Sequence, residues 1–194
     1  MSTTSFFPAK PLGCYGDGGA VFTNNDEYAK KIKMMRVHGQ NKRYHHKYIG
    51  LGGRLDTIQA SILLAKLPHF ANELELRQAV AEKYNSELNA NNSSVVLPCL
   101  TNGRTSAWAQ YTLRVNNRDN VQAKLMENGI PTVVHYPVPL HLQKCFKFLN
   151  HEQDDFPISK QAALEVISLP MNALLANNEV EYISQCVIKA LKDE

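Results

Sequence analysis

The sequence is poor in cysteine, and its few cysteines are scattered. The 194 residues include only Cys14, Cys99, Cys145 and Cys186, and no two of them form a CxxC pair. Zinc knuckles and redox dithiols need such paired spacing, so neither kind of site is indicated, and no metal is expected. Reduced thiols in a cytoplasmic protein are the simplest interpretation.

Long apolar runs and a strong charge imbalance are also lacking. No apolar stretch approaches the roughly 20 residues that cross a bilayer, and the start MSTTSFFPAK lacks the charged and apolar regions of a signal peptide. The formal net charge of +3 is too small to indicate a nucleic-acid partner. We therefore expect a cytoplasmic protein that binds neither membrane nor nucleic acid.

The overall composition is typical of a soluble globular protein. Hydrophobic residues make up 44% of the chain and charged residues 20%, which is enough for one domain or two small ones. Positive charge is concentrated locally at Asn41 to Tyr48, NKRYHHKY. This stretch could attract a phosphorylated ligand or could simply be a solvated loop, and the sequence leaves both interpretations open.

The first part of the chain contains short elements between glycine-rich and proline-rich stretches. A strand is predicted at Ala20 to Thr23, and a helix is predicted from Asp26 to about Val37 with Asn25 as its cap. A second helix with one apolar face is expected around residues 55–65, where Pro68 should kink or end it.

The later part alternates between helix and strand patterns, which predicts a small α/β unit. The predicted elements are a helix face ending at Leu88 before turn-forming residues 89–94, a strand at 111–115, a helical turn at 121–125, a β-branched segment at Ile130 to His135, and helices around Ser159 to Ile167 and Asn178 to Lys192. Trp108 and Tyr111 are expected in the core of this unit.

The stretch from Ser5 to Ala20 is the best candidate for chemistry. Lys10 lies between Pro8 and Pro11, which restrain its backbone, and a restrained lysine suits a nucleophile that must reach a fixed carbonyl. Ser5 can offer a hydroxyl to an anion. A solvated lysine in a tight turn would look the same, so this pattern alone does not identify an enzyme.

The same stretch, SFFPAKPLGCYGDGGAVFTNN, resembles the lysine segment of the DegT/DnrJ/EryC1/StrS family, fold-type I aminotransferases that act on nucleotide-linked keto-sugars. Further matching motifs follow in the family's order: RVHGQ (36–40), IGLGGRLDTIQASILLAKL (49–67), AWAQYTLRV (107–115), ENGIPTVVHYPVPLHLQ (127–143) and FPISKQAALEVISLPMN (156–172). The resemblance covers nearly the whole chain. It is nearest to enzymes that aminate the 3-keto position of UDP-linked N-acetylglucosaminuronic acid, although sister enzymes acting at C4 share much of the segment.

The resemblance implies the carboxy-terminal portion of a fold-type I transferase dependent on pyridoxal 5'-phosphate. Residues 1–53 would be the tail of the large cofactor domain, 54–92 the connecting helices, and 93–194 a small α/β domain. Because family members are roughly twice as long, we expect a truncated or split chain. It would lack the family's phosphate-binding turn, the ring that stacks on the cofactor, and the carboxylate that pairs with its nitrogen, and would leave apolar surface exposed.

The resemblance implies that Lys10 anchors pyridoxal phosphate and carries protons during the reaction. It also implies that Ser5 contacts the cofactor phosphate. Gly52 stands where the family commonly has an asparagine that contacts the partner subunit's cofactor phosphate. Glycine has no side chain to donate, so that contact would be absent or would come from the backbone.

Three further residues match substrate-binding positions of the family. Arg54 would reach the neighbouring subunit's active site and hold anionic groups of the substrate, or it is simply an arginine at a helix start. His135 and Tyr136 would line the sugar pocket, or they belong to a proline-rich turn with a packed tyrosine.

Two functions follow as hypotheses. The first is transamination of a nucleotide-linked keto-sugar for surface polysaccharide, with an amino donor that we expect to be glutamate, in a homodimer or in a complex that supplies the missing half. Little or no activity is expected from this chain alone, so whether it is itself an enzyme stays open. The second hypothesis is a non-catalytic, dimerising interaction module derived from such an enzyme.

Overall fold

The computed structural model describes residues 1–90 and 95–192, which fall into two compact units, Met1–Ala71 and Asn72–Glu194. The predicted turn at residues 89–94 lies largely outside the described residues. The three-part division expected from the resemblance stays a prediction. Across the described residues, no helix is both long and apolar enough to cross a membrane.

The first unit consists of two small antiparallel strand pairs and two helices. Its elements are β1 (Ser2–Ser5), β2 (Gly19–Phe22), α1 (Asp26–Met35), β3 (Gln40–Lys42), β4 (His45–His46) and α2 (Thr57–Lys66), followed by a 3₁₀ turn at Leu67–His69. β1 pairs with β2, and β3 pairs with β4.

Local sequence signals explain where the helices of this unit begin and end. The side-chain oxygen of Asn25 accepts a hydrogen bond from the Tyr28 N–H at 3.0 Å, as expected of the predicted cap. Pro68 falls in the 3₁₀ turn after α2, where the α-helix ends as predicted.

Little of the first unit is buried. Among the described residues its buried apolar side chains are those of Pro11, Cys14 and Leu63. On the apolar face expected for α2, Leu55 and Ile62 are half-buried, whereas Ala65 is exposed and Ile58 is 73% exposed. Among the described residues β2 has β1 as its sole strand neighbour, and its Phe22 is 56% exposed. Apolar surface on this scale is typical of an interface that further polypeptide covers.

The second unit is a strand pair packed with helices. Its elements are α3 (Phe70–Ala90, which begins at the end of the first unit), β5 (Tyr111–Arg114), α4 (Arg118–Glu127), α5 (Pro157–Glu165), β6 (Val166–Leu169) and α6 (Asn177–Lys192), with 3₁₀ turns at Leu140–Leu142 and Lys144–Leu149. β5 and β6 are antiparallel, with Tyr111 opposite Leu169 and Leu113 opposite Ile167.

Aromatic side chains form the centre of this unit's hydrophobic core. Tyr84 and Tyr111 are fully buried and stack with ring centroids 4.8 Å apart. Their hydroxyls are satisfied, because Tyr84 donates to the carbonyl of Pro170 at 2.9 Å and Tyr111 to the side chain of Asn85 at 2.6 Å. Trp108 is 5% exposed, so both Trp108 and Tyr111 are core residues as predicted.

Two predicted elements differ in the structure. The helix expected through Ile167 ends at Glu165, because Val166 and Ile167 are β-branched residues that pair with β5 instead. The β-branched segment at Ile130 to His135 forms no full strand. It makes an isolated bridge between Val133 and Ser168, with N–O distances of 3.2 and 2.8 Å.

Burial of the two core tyrosines predicts a fall in stability at alkaline pH. Burial raises the pKa of both Tyr84 and Tyr111 above the ordinary phenol value. The unfolded chain therefore loses these protons first, so the free energy of unfolding should decrease as pH rises past about 10, by up to about 1.4 kcal/mol per pH unit for each tyrosine. Denaturant unfolding between pH 8 and 11 measures this slope.

Tyr84→Phe keeps the ring and removes one titrating group, so its alkaline slope should be shallower than that of the original chain. Tyr136→Phe, at a position that is 71% exposed, is the matched control and should keep the original slope. Identical slopes for Tyr84→Phe and the original chain would contradict the prediction.

Candidate functional site

Lys10 lies in a tight turn between β1 and β2. Its backbone N–H donates to the carbonyl of Phe7 at 2.8 Å, and the flanking prolines restrict the backbone on either side. The side chain is exposed, and no described residue pairs with its amine. The turn therefore presents a free amine from a fixed backbone.

The backbone of Phe6 holds the two ends of this turn together. Its N–H donates to Gly18 at 2.8 Å, and its carbonyl accepts both the N–H of Cys14 at 2.8 Å and the Cys14 thiol at 3.0 Å. Cys14 is 1% exposed, and its thiol also lies 3.0 Å from the carbonyl of Gly16. From the sequence, Cys14 was expected only to be a reduced thiol. Cysteine is often buried in proteins, and this preference could have indicated that Cys14 packs inside the turn.

Gly13 is required by close packing within the turn. A Cβ at this position would lie 2.7 Å from the carbonyl oxygens of both Phe7 and Pro8 and 3.0 Å from that of Lys10. The carbonyl of Gly13 accepts a 2.7 Å hydrogen bond from the ammonium group of Lys66 on α2. Lys66 is 53 residues away in sequence, and nothing in the sequence indicated this contact.

Ser5 ends β1, five residues before Lys10 on the same exposed segment. Its hydroxyl oxygen accepts a hydrogen bond from the Phe7 N–H at 3.2 Å. The hydroxyl proton remains available for donation, which suits contact with an anion.

Gly52 lies beside the end of α1. It forms a bridge with Val37, and the next residue, Gly53, donates its N–H to Arg36 at 2.8 Å. A Cβ at Gly52 would lie 3.3 Å from Cε1 of the His38 imidazole. The imidazole of His38 is therefore the neighbour that a side chain at this exposed position would meet first.

Arg54 is exposed and has no ion-pair partner among the described residues. It lines a cleft of about 970 Å³ together with Lys33, Arg36, and residues 17–24 around β2. Lys10 is not part of the lining. Three cations face a single carboxylate, that of Asp17, so the cleft favours an anionic group.

His135 and Tyr136 belong to the second unit. The Nδ1 atom of His135 lies 2.9 Å from the hydroxyl of Ser168 on β6, which fixes the ring and leaves Nε2 for another partner. The Tyr136 ring makes an edge contact with His135, with centroids 5.4 Å apart, and its side chain is largely exposed. No group of His, Cys, Asp and Glu side chains that could hold a metal ion occurs within residues 1–90 and 95–192.

Comparison with known proteins places this geometry in a family. Residues 1–188 match the DegT/DnrJ/EryC1/StrS aminotransferase family. A Pseudomonas aeruginosa protein described as UDP-2-acetamido-2-deoxy-3-oxo-D-glucuronate aminotransferase is 46% identical over 183 residues, which cover 94% of this chain and 50% of that protein.

Solved structures agree with the sequence match. A DegT DnrJ EryC1 StrS aminotransferase from Brucella abortus has a TM-score of 0.90 at 40% identity, and the match covers 97% of this chain and 50% of the other. NtdA from Bacillus subtilis, solved with bound cofactor PMP, has a TM-score of 0.87 at 26% identity, covering 98% and 45%. The predicted α/β fold of this family is confirmed, and the chain spans about half the length of the relatives it matches.

The packing around Gly13 predicts that Gly13→Ala disrupts the Lys10 turn. Because the added methyl group meets backbone oxygens that cannot rotate away, we expect a loss of about 1 to 3 kcal/mol in stability. The amides of Lys10 and Cys14 should also exchange hydrogen faster, as measured by mass spectrometry.

Gly52→Ala is the matched control, because its methyl group meets only the edge of a side chain at 3.3 Å. It should leave exchange at Lys10 and Cys14 unchanged. Unaltered exchange of these two amides in Gly13→Ala would show that the glycine is not needed for the turn.

Proposed function

This chain belongs to the DegT/DnrJ/EryC1/StrS aminotransferase family, and on that premise we propose that it forms part of a pyridoxal-phosphate-dependent aminotransferase acting on a nucleotide-linked keto-sugar in the cytoplasm. The observation that carries the proposal is the unpaired Lys10 amine, displayed by a turn whose backbone is fixed at Phe6 and Gly13. The names of the Pseudomonas relative and of the PMP-bound Bacillus structure support the substrate class and the cofactor.

The residues of the first unit fit such a cofactor in part. Lys10 offers a free amine for covalent attachment, and Ser5 offers a hydroxyl proton to a phosphate group from the same exposed segment. Gly52 offers no side chain, and a Cβ there would lie 3.3 Å from the imidazole of His38. Any contact with a cofactor phosphate at this position would come from the backbone of Gly52.

When bound, pyridoxal phosphate supplies an electron sink for chemistry at the donor's α-carbon. In the proposed reaction the Nζ atom of Lys10 holds the cofactor and, once free, carries a proton to and from that carbon. Arg54 binds anionic groups of the sugar substrate through its guanidinium. His135, positioned by Ser168, uses Nε2 to contact the sugar, and Tyr136 lies beside it. We propose glutamate as the amino donor.

Catalysis by these residues would need further polypeptide. Lys10 is exposed, whereas a nucleophilic lysine needs dry surroundings, and few apolar side chains among the described residues of the first unit are fully buried. We propose that additional polypeptide, from the same chain or another, covers β2 and α2 and completes the cofactor site. A homodimer or a complex would then be the active form.

Attachment of the cofactor to Lys10 is directly measurable. With the unmatched half of the Pseudomonas relative supplied as a separate chain, incubation with pyridoxal phosphate and reduction by borohydride should leave the reduced cofactor on the peptide that contains Lys10. Peptide mass spectrometry reads the site. Lys10→Arg keeps the positive charge but cannot condense with an aldehyde, so it should remain unlabelled.

Lys30→Arg makes the same change at an exposed lysine of α1 and should leave Lys10 labelled. Equal labelling of several surface lysines, or total labelling that is undiminished in Lys10→Arg, would show that Lys10 has no special role. Activity towards a keto-sugar is then tested on an assembly loaded with pyridoxal phosphate but not reduced, because reduction fixes the cofactor to the lysine irreversibly.

A second candidate function is a non-catalytic interaction module. The apolar side chains exposed on β2 and α2 and the absence of a side chain at Gly52 both favour it. In this case the chain alone should sediment as a stable dimer and should acquire no reduced cofactor at Lys10, even when the complementary half is present. A labelled Lys10 in the assembled complex would exclude it.

A further inference from the structure

The turn that displays Lys10 has few hydrogen bonds of its own near its tip. Residues 6–18 connect β1 to β2, and the bonds from Phe6 to Cys14 and Gly18 close the base of this connection. Within the tip, the N–H of Lys10 donates to the carbonyl of Phe7 at 2.8 Å. A loop with so few internal bonds keeps one shape only where another element supports it.

Helix α2 supplies one face for this support. Gln59, Leu63 and Lys66 are spaced by four and three residues, so they share one side of the helix. Leu63 is 9% exposed and the other two are half-buried, whereas Ile58 and Leu64, outside this face, are 73% and 70% exposed. The side chains of this face are therefore packed within the first unit.

Two polar side chains of this face bond to the backbone of the turn on either side of Cys14. The ammonium group of Lys66 donates to the carbonyl of Gly13 at 2.7 Å, and the side-chain oxygen of Gln59 accepts the N–H of Tyr15 at 2.8 Å. Cys14, between them, is 1% exposed. The returning half of the turn is thus bound to α2 at two residues and buried at the residue between them.

The position of Lys66 is not explained by an ion pair. The ion pairs among the described residues do not include Lys66, and the acceptor at Gly13 is a neutral backbone carbonyl. A hydrogen bond from a charged donor is stronger than one between neutral groups. The half-buried ammonium group therefore holds the Gly13 carbonyl in place.

Close packing carries this constraint from Gly13 to Lys10. A Cβ at Gly13 would lie 2.7 Å from the carbonyl oxygen of Phe7 and 3.0 Å from that of Lys10, so these stretches of backbone lie in close contact. The backbone at Lys10 is thereby linked to Gly13, which Lys66 holds. Because the Lys10 side chain is itself exposed, its backbone decides where the amine can reach.

We propose that Gln59 and Lys66 are positioning residues for Lys10. From one face of α2 they hold the returning half of the turn, and through it the backbone from which the Lys10 amine reaches a carbonyl. The inference rests on the proposed function for the chemistry of Lys10. A nucleophile that must meet a fixed atom reacts far more slowly when its placement shifts by about 1 Å.

NMR-detected hydrogen exchange of the full chain tests whether the two side chains support the turn. Lys66→Met removes the donor and Gln59→Met removes the amide acceptor, while each keeps a side chain of similar length. Each should raise the exchange rate of the Lys10 amide by about tenfold, because that amide bonds to Phe7 and is freed only when the turn loosens. Lys66→Arg retains a donor and Gln59→Glu retains an acceptor, so both should stay within about threefold of the original rate.

Two variants are matched controls. Lys30→Met removes an exposed lysine from α1, and Ser61→Ala removes an α2 hydroxyl that donates within its own helix to the Thr57 carbonyl at 2.9 Å. Both should leave exchange of the Lys10 amide unchanged. If Lys66→Met and Gln59→Met also left it unchanged, the inference would be overturned. Equal acceleration throughout β1 and β2 would overturn it too, because the two side chains would then support the whole unit and not the turn.

Cofactor labelling shows whether this support matters for the lysine. In the assembly with the unmatched half of the Pseudomonas relative, Lys66→Met and Gln59→Met should lower the fraction of Lys10 that borohydride fixes to limiting pyridoxal phosphate, by about tenfold. Lys66→Arg and Gln59→Glu should restore it. Labelling that the two methionine substitutions leave intact, or that the two conservative substitutions fail to restore, would contradict a positioning role.

Failure of the proposed function gives a different result. If the original assembly acquired no label at Lys10 while the exchange results held, the proposed function would fail and the support of the turn by α2 would stand. Unchanged exchange together with a labelled Lys10 would leave the function intact and refute the role of Gln59 and Lys66.

Discussion

The carbonyl oxygen of Phe6 is the acceptor on which the arrangement of the first unit depends. It receives both the backbone N–H and the thiol of Cys14, while the N–H of Phe6 is bonded to Gly18. These bonds close the loop that carries Lys10 onto the β1–β2 pair. Buried polar groups are satisfied in this way without any large hydrophobic core, and the turn keeps its shape in a unit that is otherwise mostly exposed.

The two units differ in what stabilises them. The second unit buries Tyr84, Tyr111 and Leu113 completely, so its stability comes from packing. The first unit keeps Ile49, Ile58 and other apolar side chains exposed, and backbone hydrogen bonds such as those of Phe6 hold its turns. Membership of an aminotransferase family accounts for this difference if the first unit is one part of a larger cofactor domain.

Much of the fold could be predicted from the sequence because the signals were local. The cap at Asn25 and the break near Pro68 depend on neighbouring residues, and the alternation of Tyr111, Leu113 and Val115 is visible within five positions. The strand at Val166–Leu169 was not predicted, and its first residues were assigned to the preceding helix. It forms by pairing with β5, which lies more than fifty residues earlier in the chain.

The candidate site was harder to predict for the same physical reason. Lys10 and Ser5 stand out by their neighbours, but the contact from Lys66 to Gly13 and the imidazole of His38 beside Gly52 arise only on folding.

The central claim is that further polypeptide covers β2 and α2 of the first unit. Hydrogen exchange of the first unit tests it most directly, with the unmatched half of the Pseudomonas relative present or absent. Slower exchange in β2 and α2 on addition, with the second unit's core unchanged, is the predicted result; a complex that leaves β2 and α2 exchanging as before would contradict it.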